Sequence, residues 1–462
     1  MQLFKTIGTG TASNLIANFI AIAVSAISIY LLLNALTVDE FGKYSVWFSF
    51  FALITVAIEL GSRFVIIPMA AEAAGKKDYG AQRGIYATFM KMQMAVAVFA
   101  AAVMLLAYYL FFYQSSYEYY FLLLLLSVIF GALDNVAQCL MLSNSNFMLL
   151  SSGQIIKNVG KALLLFLCLY TWDLGVRGAA LATFVSFAIG VLASLAFAFF
   201  ALRKLRGVPS KVHGMRELFL NKGWACSSSL TVFKSIFGNA PIWIGGEFGS
   251  YIVVGLYSSA SKILTVFSAV VSSLETTLIA VMPTLIGEGN EKKLAEVNRR
   301  MVKYGVWISL PITVLVIAAL PPVISALIPE YADATLVLQI LSLEIIVLGA
   351  SVSQKSILFA YRKQESYLYA VLISTAVLFI AGVPLTSIYG APGLAVAVVA
   401  SSFALLAFNR RVIEGISSDY GIGLKFLLTV DKNDRMYANR LFKSGLGKIK
   451  TAVYGWADMD NF

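Results

Sequence analysis

The sequence is short of charge. Asp, Glu, Lys and Arg make up 13% of its 462 residues, where a soluble domain carries about 25%. With 59% hydrophobic residues there is too little polar surface to face water, and the chain reads as an integral membrane protein. Histidine is nearly missing: the only one, His213, sits in a basic segment between apolar runs, and no nucleophile–histidine–acid set is present in the sequence. No glycine-rich loop ending in Lys-Ser or Lys-Thr is present, which excludes the nucleotide site of an ATP-driven pump. The three cysteines, Cys139, Cys168 and Cys226, lie inside apolar runs with neither a pairing framework nor metal-ligand spacing. No metal or cofactor is expected. Long polar connections are lacking on one side, where segments such as "GGEFGS" and "YGAPG" offer little material for an active site. The expectation is movement of a solute, not an enzyme.

Charge is also absent from Thr6 to Val38. Thirty-three uncharged residues exceed a signal-peptide core, so this stretch is expected to remain as a first span. Lipid offers the backbone no hydrogen bonds, and apolar runs of this length must be helices. Twelve are expected, at 7–33, 44–70, 85–112, 119–142, 151–171, 178–202, 223–246, 253–282, 302–328, 334–358, 366–388 and 391–409. The loops after even-numbered spans and the termini hold 26 Lys and Arg residues, those after odd-numbered spans only Lys43 and Arg177. By the positive-inside rule both termini are cytoplasmic. The same asymmetry explains the net charge of +11 without a nucleic acid. The tail, with seven basic residues from Lys425 to Lys450 among apolar ones, is expected either to lie as a helix on the anionic inner leaflet or to be disordered.

The chain repeats itself. "EFGKYSVWFS" at 40–49 returns as "VVGLYSSASK" at 253–262, with Gly42, Tyr44 and Ser45 matched by Gly255, Tyr257 and Ser258 at an offset of 213. "LGVRGAALA" at 174–182 is echoed by "YGAPGLAVA" at 389–397. The fold class expected is therefore all-α, with about twelve membrane helices in two six-helix lobes. Because six is even, both lobes point the same way, related by an axis along the membrane normal. The expected boundaries are 1–202 and 223–412 for the lobes, 203–222 for a basic linker and 413–462 for the tail.

Charges inside the spans are the candidate functional residues. Seven are basic (Arg63, Lys91, Lys157, Lys161, Lys234, Lys262, Lys355) and four acidic (Glu59, Asp134, Glu275, Glu344). Each costs about 2.5–3.5 kcal/mol at a helix centre facing lipid, so they must face one another or a watery cavity. Lys91 and Lys355 lie near cytoplasmic helix ends and are expected to snorkel. Glu59 and Arg63 are four apart on one helix face and can neutralise each other. Asp134 can pair with Lys157 or Lys161, and Lys234 or Lys262 with Glu275 or Glu344. The surplus of cations nonetheless favours an anionic guest, with Arg63, Lys157, Lys161, Lys234 and Lys262 as its cationic cavity. Glu59, Asp134, Glu275 and Glu344 are the candidates for carrying a proton or sodium ion, Glu59 and Glu344 first. Serine and asparagine in spans one and seven (Ser13, Asn14, Asn18, Asn34; Ser227, Ser228, Ser229, Asn239) are expected either to pack helices or to bond sugar hydroxyls.

The uncharged first span, "LTVDEFGKYS" at 36–45, "ELGSRF" at 59–64 and "VVGLYSSASKI" at 253–263 resemble the polysaccharide transport family of the multidrug/oligosaccharidyl-lipid/polysaccharide exporter superfamily. The likeness runs over about residues 1–412. It implies a Wzx-type flippase in a bacterial cytoplasmic membrane, moving an undecaprenyl-pyrophosphate-linked oligosaccharide outward by alternating access for O-antigen, capsule or exopolysaccharide assembly. Partners implied are that lipid-linked substrate, membrane lipid, a proton or sodium counter-ion and polysaccharide assembly proteins. Related lipid II flippases, as the resemblance goes, carry arginines on helices one, two and eight. Here Arg63 and Lys262 answer two of these and helix one has no cation, which with twelve spans argues against a peptidoglycan precursor. Two alternatives stand beside this reading: an ion-coupled multidrug exporter of the same superfamily, and a membrane glycan polymerase or ligase.

Overall fold

A computed structural model describes residues 23–59, 61–76, 78–112, 118–144, 146–201, 222–287, 291–361, 363–417, 420, 421 and 423. The basic segment before Lys222, the tail beyond 423, and Ser13, Asn14 and Asn18 fall outside the described residues. Among the described residues all regular structure is helical. In chain order α1 spans Ala23–Ala35, α2 Val38–Glu59, α3 Arg63–Gly75, α4 Tyr79–Ala107, α5 Glu118–Ser143, α6 Phe147–Phe166 and α7 Gly175–Ala201. The second half has α8 Lys222–Phe248, α9 Tyr251–Gly287, α10 Glu291–Leu327, α11 Ala334–Ser351, the short α12 Gln354–Ala360 and α13 Gln364–Glu414.

Nine of the described helices are long and apolar enough to cross a membrane. One of them, α13, would measure about 75 Å if straight, far more than a bilayer core of about 30 Å. It is a hairpin. Gly390 adopts φ +62° at its tip, a region open to glycine because it lacks a Cβ, and Ser374 Oγ donates to Ser401 O across it at 2.9 Å. With α13 counted as two crossings the nine give ten, and the short α1 and the more polar α8 lie where the first and seventh of the twelve expected spans fall.

Helices of the first half pack mainly on one another, as do those of the second; α2 against α8 and α9 is the main contact between halves. That contact explains the repeat. A Cβ on Gly42 would run into the carbonyl of Tyr251, and a Cβ on Gly255 into the carbonyl of Val38. Both pairs, Gly42 with Gly255 and Val38 with Tyr251, are offset by 213. Residue contacts that exchange in this way are the signature of a two-fold axis, here within one chain. Close backbone approach is what small residues permit at membrane helix crossings.

The cores show where the halves join and where they part. At the end where α2 and α9 begin, one cluster combines Leu36, Phe41 and Tyr44 with Ile328, Tyr331 and Leu338. At the opposite end there are two clusters. One, around Ile66, Phe89 and Met141, belongs wholly to the first half, and the other, around Leu278, Leu294 and Tyr367, wholly to the second. Polar contacts reinforce the joined end: Tyr331 Oη donates to Leu36 O at 2.9 Å and Trp243 Nε1 to Ser49 Oγ at 2.9 Å. Burial pushes the Tyr331 hydroxyl well above its ordinary pKa, so it stays protonated as a donor.

Candidate functional site

The second expected span is broken. α2 stops at Glu59, Gly61 takes φ +64°, and α3 starts at Arg63. A break in lipid frees backbone groups that must find partners within the protein. A neighbouring span supplies one, Gln93 Nε2 of α4 donating to Ile58 O at 2.6 Å, and Asn135 Nδ2 of α5 ties the break further by donating to the Ser62 side-chain Oγ at 2.8 Å. Both amides are buried. The expectation that Glu59 and Arg63 share one helix face is therefore overturned, since they end one helix and begin another. Nothing is described of the Arg63 side chain.

Beside this break lies a cavity of about 410 Å3 in the first half, with Glu59, Asp134, Asn135, Lys157 and Lys161 in its wall. Lys157 Nζ stands 3.6 Å from Asp134 Oδ2 and 4.1 Å from the centre of the Phe187 ring. Gln138 Nε2 donates to the same carboxylate oxygen at 2.7 Å. Of the two partners open to Asp134 in the sequence, the structure selects Lys157. Lys161 points instead at the face of Phe48, 5.0 Å from its centre.

Phe48 is also where the halves meet. Lys262, from α9, lies 4.7 Å from the centre of the same ring and 5.1 Å from that of Tyr44. It is near enough to Lys161 for the two charges to act on each other. Neither makes an ion pair with a carboxylate among the described residues. Aromatic faces attract cations electrostatically, by about 0.5–2 kcal/mol, and α2 supplies that surface to one lysine from each half.

The other charges of the second half gather elsewhere. Lys355 Nζ bonds Glu275 Oε1 at 3.0 Å, and Lys234 lies within electrostatic reach of both. Lys355 thus does not snorkel alone, and Lys234 joins this group instead of the pair at Phe48. Glu344 accepts from Ser402 Oγ at 3.1 Å. Lys303, counted among the loop cations, is fully buried in α10 with its ammonium 5.0 Å from the Trp307 ring centre. Helix α10 begins eleven residues earlier than the expected span 302–328, so Lys303, at the edge of that span, lies well inside the helix. Asn34 and Asn239 donate to carbonyls of their own helices, Tyr30 O and Ser235 O. Among the described residues no group of three or more His, Cys, Asp or Glu could hold a metal ion. Sequence reasoning missed Gln93, Asn135 and Phe48; the first two had a signal, being amides inside apolar spans.

Residues 7–286 match the family model described as polysaccharide biosynthesis protein, and residues 231–385 the model described as MatE. No curated protein matches the sequence. Among solved structures, the chain is similar to a multidrug resistance MATE transporter of the MOP superfamily in an inward-facing conformation. The TM-score is 0.71 at 16% identity, over 86% of this chain and 95% of that one. It is also similar to the lipid II flippase MurJ in an inward closed conformation, at TM-score 0.67 and 13% identity over 94% and 92% of the two chains. A MOP-superfamily transporter from Pyrococcus furiosus, described by the reversed polarity of its binding pocket, gives TM-score 0.57 at 15% identity over 89% and 94%. At such identities the likeness establishes the fold.

Proposed function

The chain belongs to the polysaccharide biosynthesis protein family, and from that premise we propose that it is a flippase for a lipid-linked oligosaccharide. The substrate we infer is an undecaprenyl-pyrophosphate carrier bearing a sugar repeat for O-antigen, capsule or exopolysaccharide, moved across a bacterial cytoplasmic membrane. One observation carries this reading. Lys161 of the first half and Lys262 of the second converge on Phe48 without a carboxylate partner. A pyrophosphate brought between them would relieve their repulsion and draw the halves together. The separate cores at the end opposite Gly42 and Gly255 support an inward-opening state, with the basic loops on the cytoplasmic side. Broken helices near mid-membrane accompany substrate sites in transporters, which supports placing the cavity beside Gly61 on the pathway.

The MatE match and the multidrug relatives favour a second reading, export of a cationic drug. The two lysines at Phe48 weigh against it, because a cation gains nothing there. Asp134 and Glu275 are held by lysines; for energy coupling we assign a proton or sodium ion to Glu59, for its place in the cavity wall, and to Glu344, which accepts from the Ser402 hydroxyl. The test is transfer of a fluorescent undecaprenyl-pyrophosphate oligosaccharide in vesicles containing the purified protein. Lys262→Ala is expected to abolish transfer and Lys262→Arg to keep part of it, because a guanidinium still binds phosphate. Full transfer by Lys161→Ala and Lys262→Ala would overturn the reading, and transfer that survives collapse of both ion gradients would remove the coupling role.

A further inference from the structure

We propose that the first-half cavity is a saccharide subsite for a neutral sugar, distinct from the seat of the substrate's anion; the inference rests on the flippase reading. Charge is the first argument. Among the described residues Glu59, Asp134, Lys157 and Lys161 bring both signs into the cavity wall, and Asp134 is already paired with Lys157, so the wall is not the one-signed surface that a charged guest would need. Lys161 and Lys262, which make no ion pair with a carboxylate among the described residues, stand instead at Phe48.

Surface chemistry is the second. Phe48, Phe51 and Phe187 line the same cavity, and Phe51 meets Phe187 edge to face at 5.2 Å. A pyranose presents C–H bonds on its faces and hydroxyls at its rim. The electron-rich face of an aromatic ring suits the former, and the rim needs hydrogen-bonding groups around it. The hydroxyls of the wall are already oriented. Ser28 donates to Val24 O, Thr55 to Phe51 and Ala52 O, and Ser186 to Thr183 O. Their protons are spent on the backbone, so their free lone pairs can only accept, and sugar hydroxyls are donors. Asn158 lines the cavity with no amide partner among the described residues, and offers one donor and one acceptor group. The volume of about 410 Å3 falls in the range of small-molecule pockets, about 300–1,000 Å3. Phe48 then divides two tasks: one face of the substrate's sugar rests on the cavity side, and its phosphates engage Lys262.

The experiment is saturation-transfer NMR on the full chain in lipid nanodiscs. The probes are the methyl glycosides of glucose, galactose, mannose, rhamnose and N-acetylglucosamine, together with methyl glucuronide, and inorganic pyrophosphate binding is followed by calorimetry. At least one neutral glycoside should bind. Asn158→Ala should weaken it about fivefold, the loss of one ordinary hydrogen bond, and Phe48→Leu should weaken it at least as much. Phe48→Tyr should restore binding, since the ring face is kept. Lys262→Ala should reduce pyrophosphate binding and spare the glycoside. Binding of the glucuronide alone, or glycoside binding indifferent to both Asn158→Ala and Phe48→Leu, overturns the subsite. So does pyrophosphate binding with no neutral glycoside bound, in which case the flippase reading stands. If neither probe class binds, the flippase reading fails and the subsite with it.

Discussion

Helices α2–α3 and α9 begin as copies and end differently. At their starts Gly42 and Gly255 meet each other's backbones in reciprocal contact, and neither can change without disturbing both halves. Seventeen to twenty residues further on the copies diverge. The first breaks at Gly61 with Glu59 in the wall of a cavity, whereas α9 runs unbroken through Gly287 past Leu274, the repeat counterpart of Gly61. The lesson is one of constraint. The shared end is held by symmetry, while the far end, where each half has its own core, is free to take a separate role. The charges show both sides: the first half pairs Lys157 with Asp134 in the pocket, the second pairs Lys355 with Glu275 away from it, and each half sends one lysine to Phe48.

Breaking the symmetric contact should have the largest effect. Gly42→Ala and Gly255→Ala each force a Cβ onto a backbone carbonyl, and each is expected to cost about 3 kcal/mol in thermal unfolding of the detergent-purified protein. Similar losses sharpen the two-fold picture; a silent change at one site breaks it. Next comes Gln93→Leu, which leaves Ile58 O without its partner; a loss of about 1–3 kcal/mol is expected. Cysteine accessibility of a Cys placed at Glu59 would report whether the break persists. Gly61→Ala forces a side chain into the left-handed region at about 1–2 kcal/mol. The matching change in the unbroken copy, Leu274→Gly, should cost a comparable helix propensity of about 1 kcal/mol without creating a break, and hydrogen exchange at 270–278 can tell. The smallest effect is expected for Lys91→Ala. Its side chain is exposed, and transfer in the vesicle assay should stay near the unsubstituted rate.

Much of the architecture was legible because lipid permits few solutions. Runs without charge must be helices, so the crossings and the tip of the α13 hairpin at Gly390 could be placed from apolar length alone. The repeat of Gly42 and Gly255 could be read as a duplication, since identical residues at a fixed offset need no coordinates. The site was legible only as a set of residue types. Asp134 had two lysines within reach along the sequence, and Lys355 looked like a helix-end cation, until the packing of α9 against α11 and α12 brought Glu275 to it across eighty residues.

The sequence by itself determined that this protein crosses a membrane many times, is built from two copies of one unit, and carries more cations than carboxylates within its spans. These are properties of composition, length and offset, and each survives any rotation of a helix about its axis. Only the tertiary structure decided that α2 stops at Gly61, that Gln93 and Asn135 from other spans make that stop tolerable, and that Lys161 and Lys262 meet at one phenyl ring. The reason is physical. A buried charge or a freed carbonyl is stabilised by whatever partner stands within about 3–4 Å, and which side chains come that close depends on the rotation and crossing of helices that are distant in sequence.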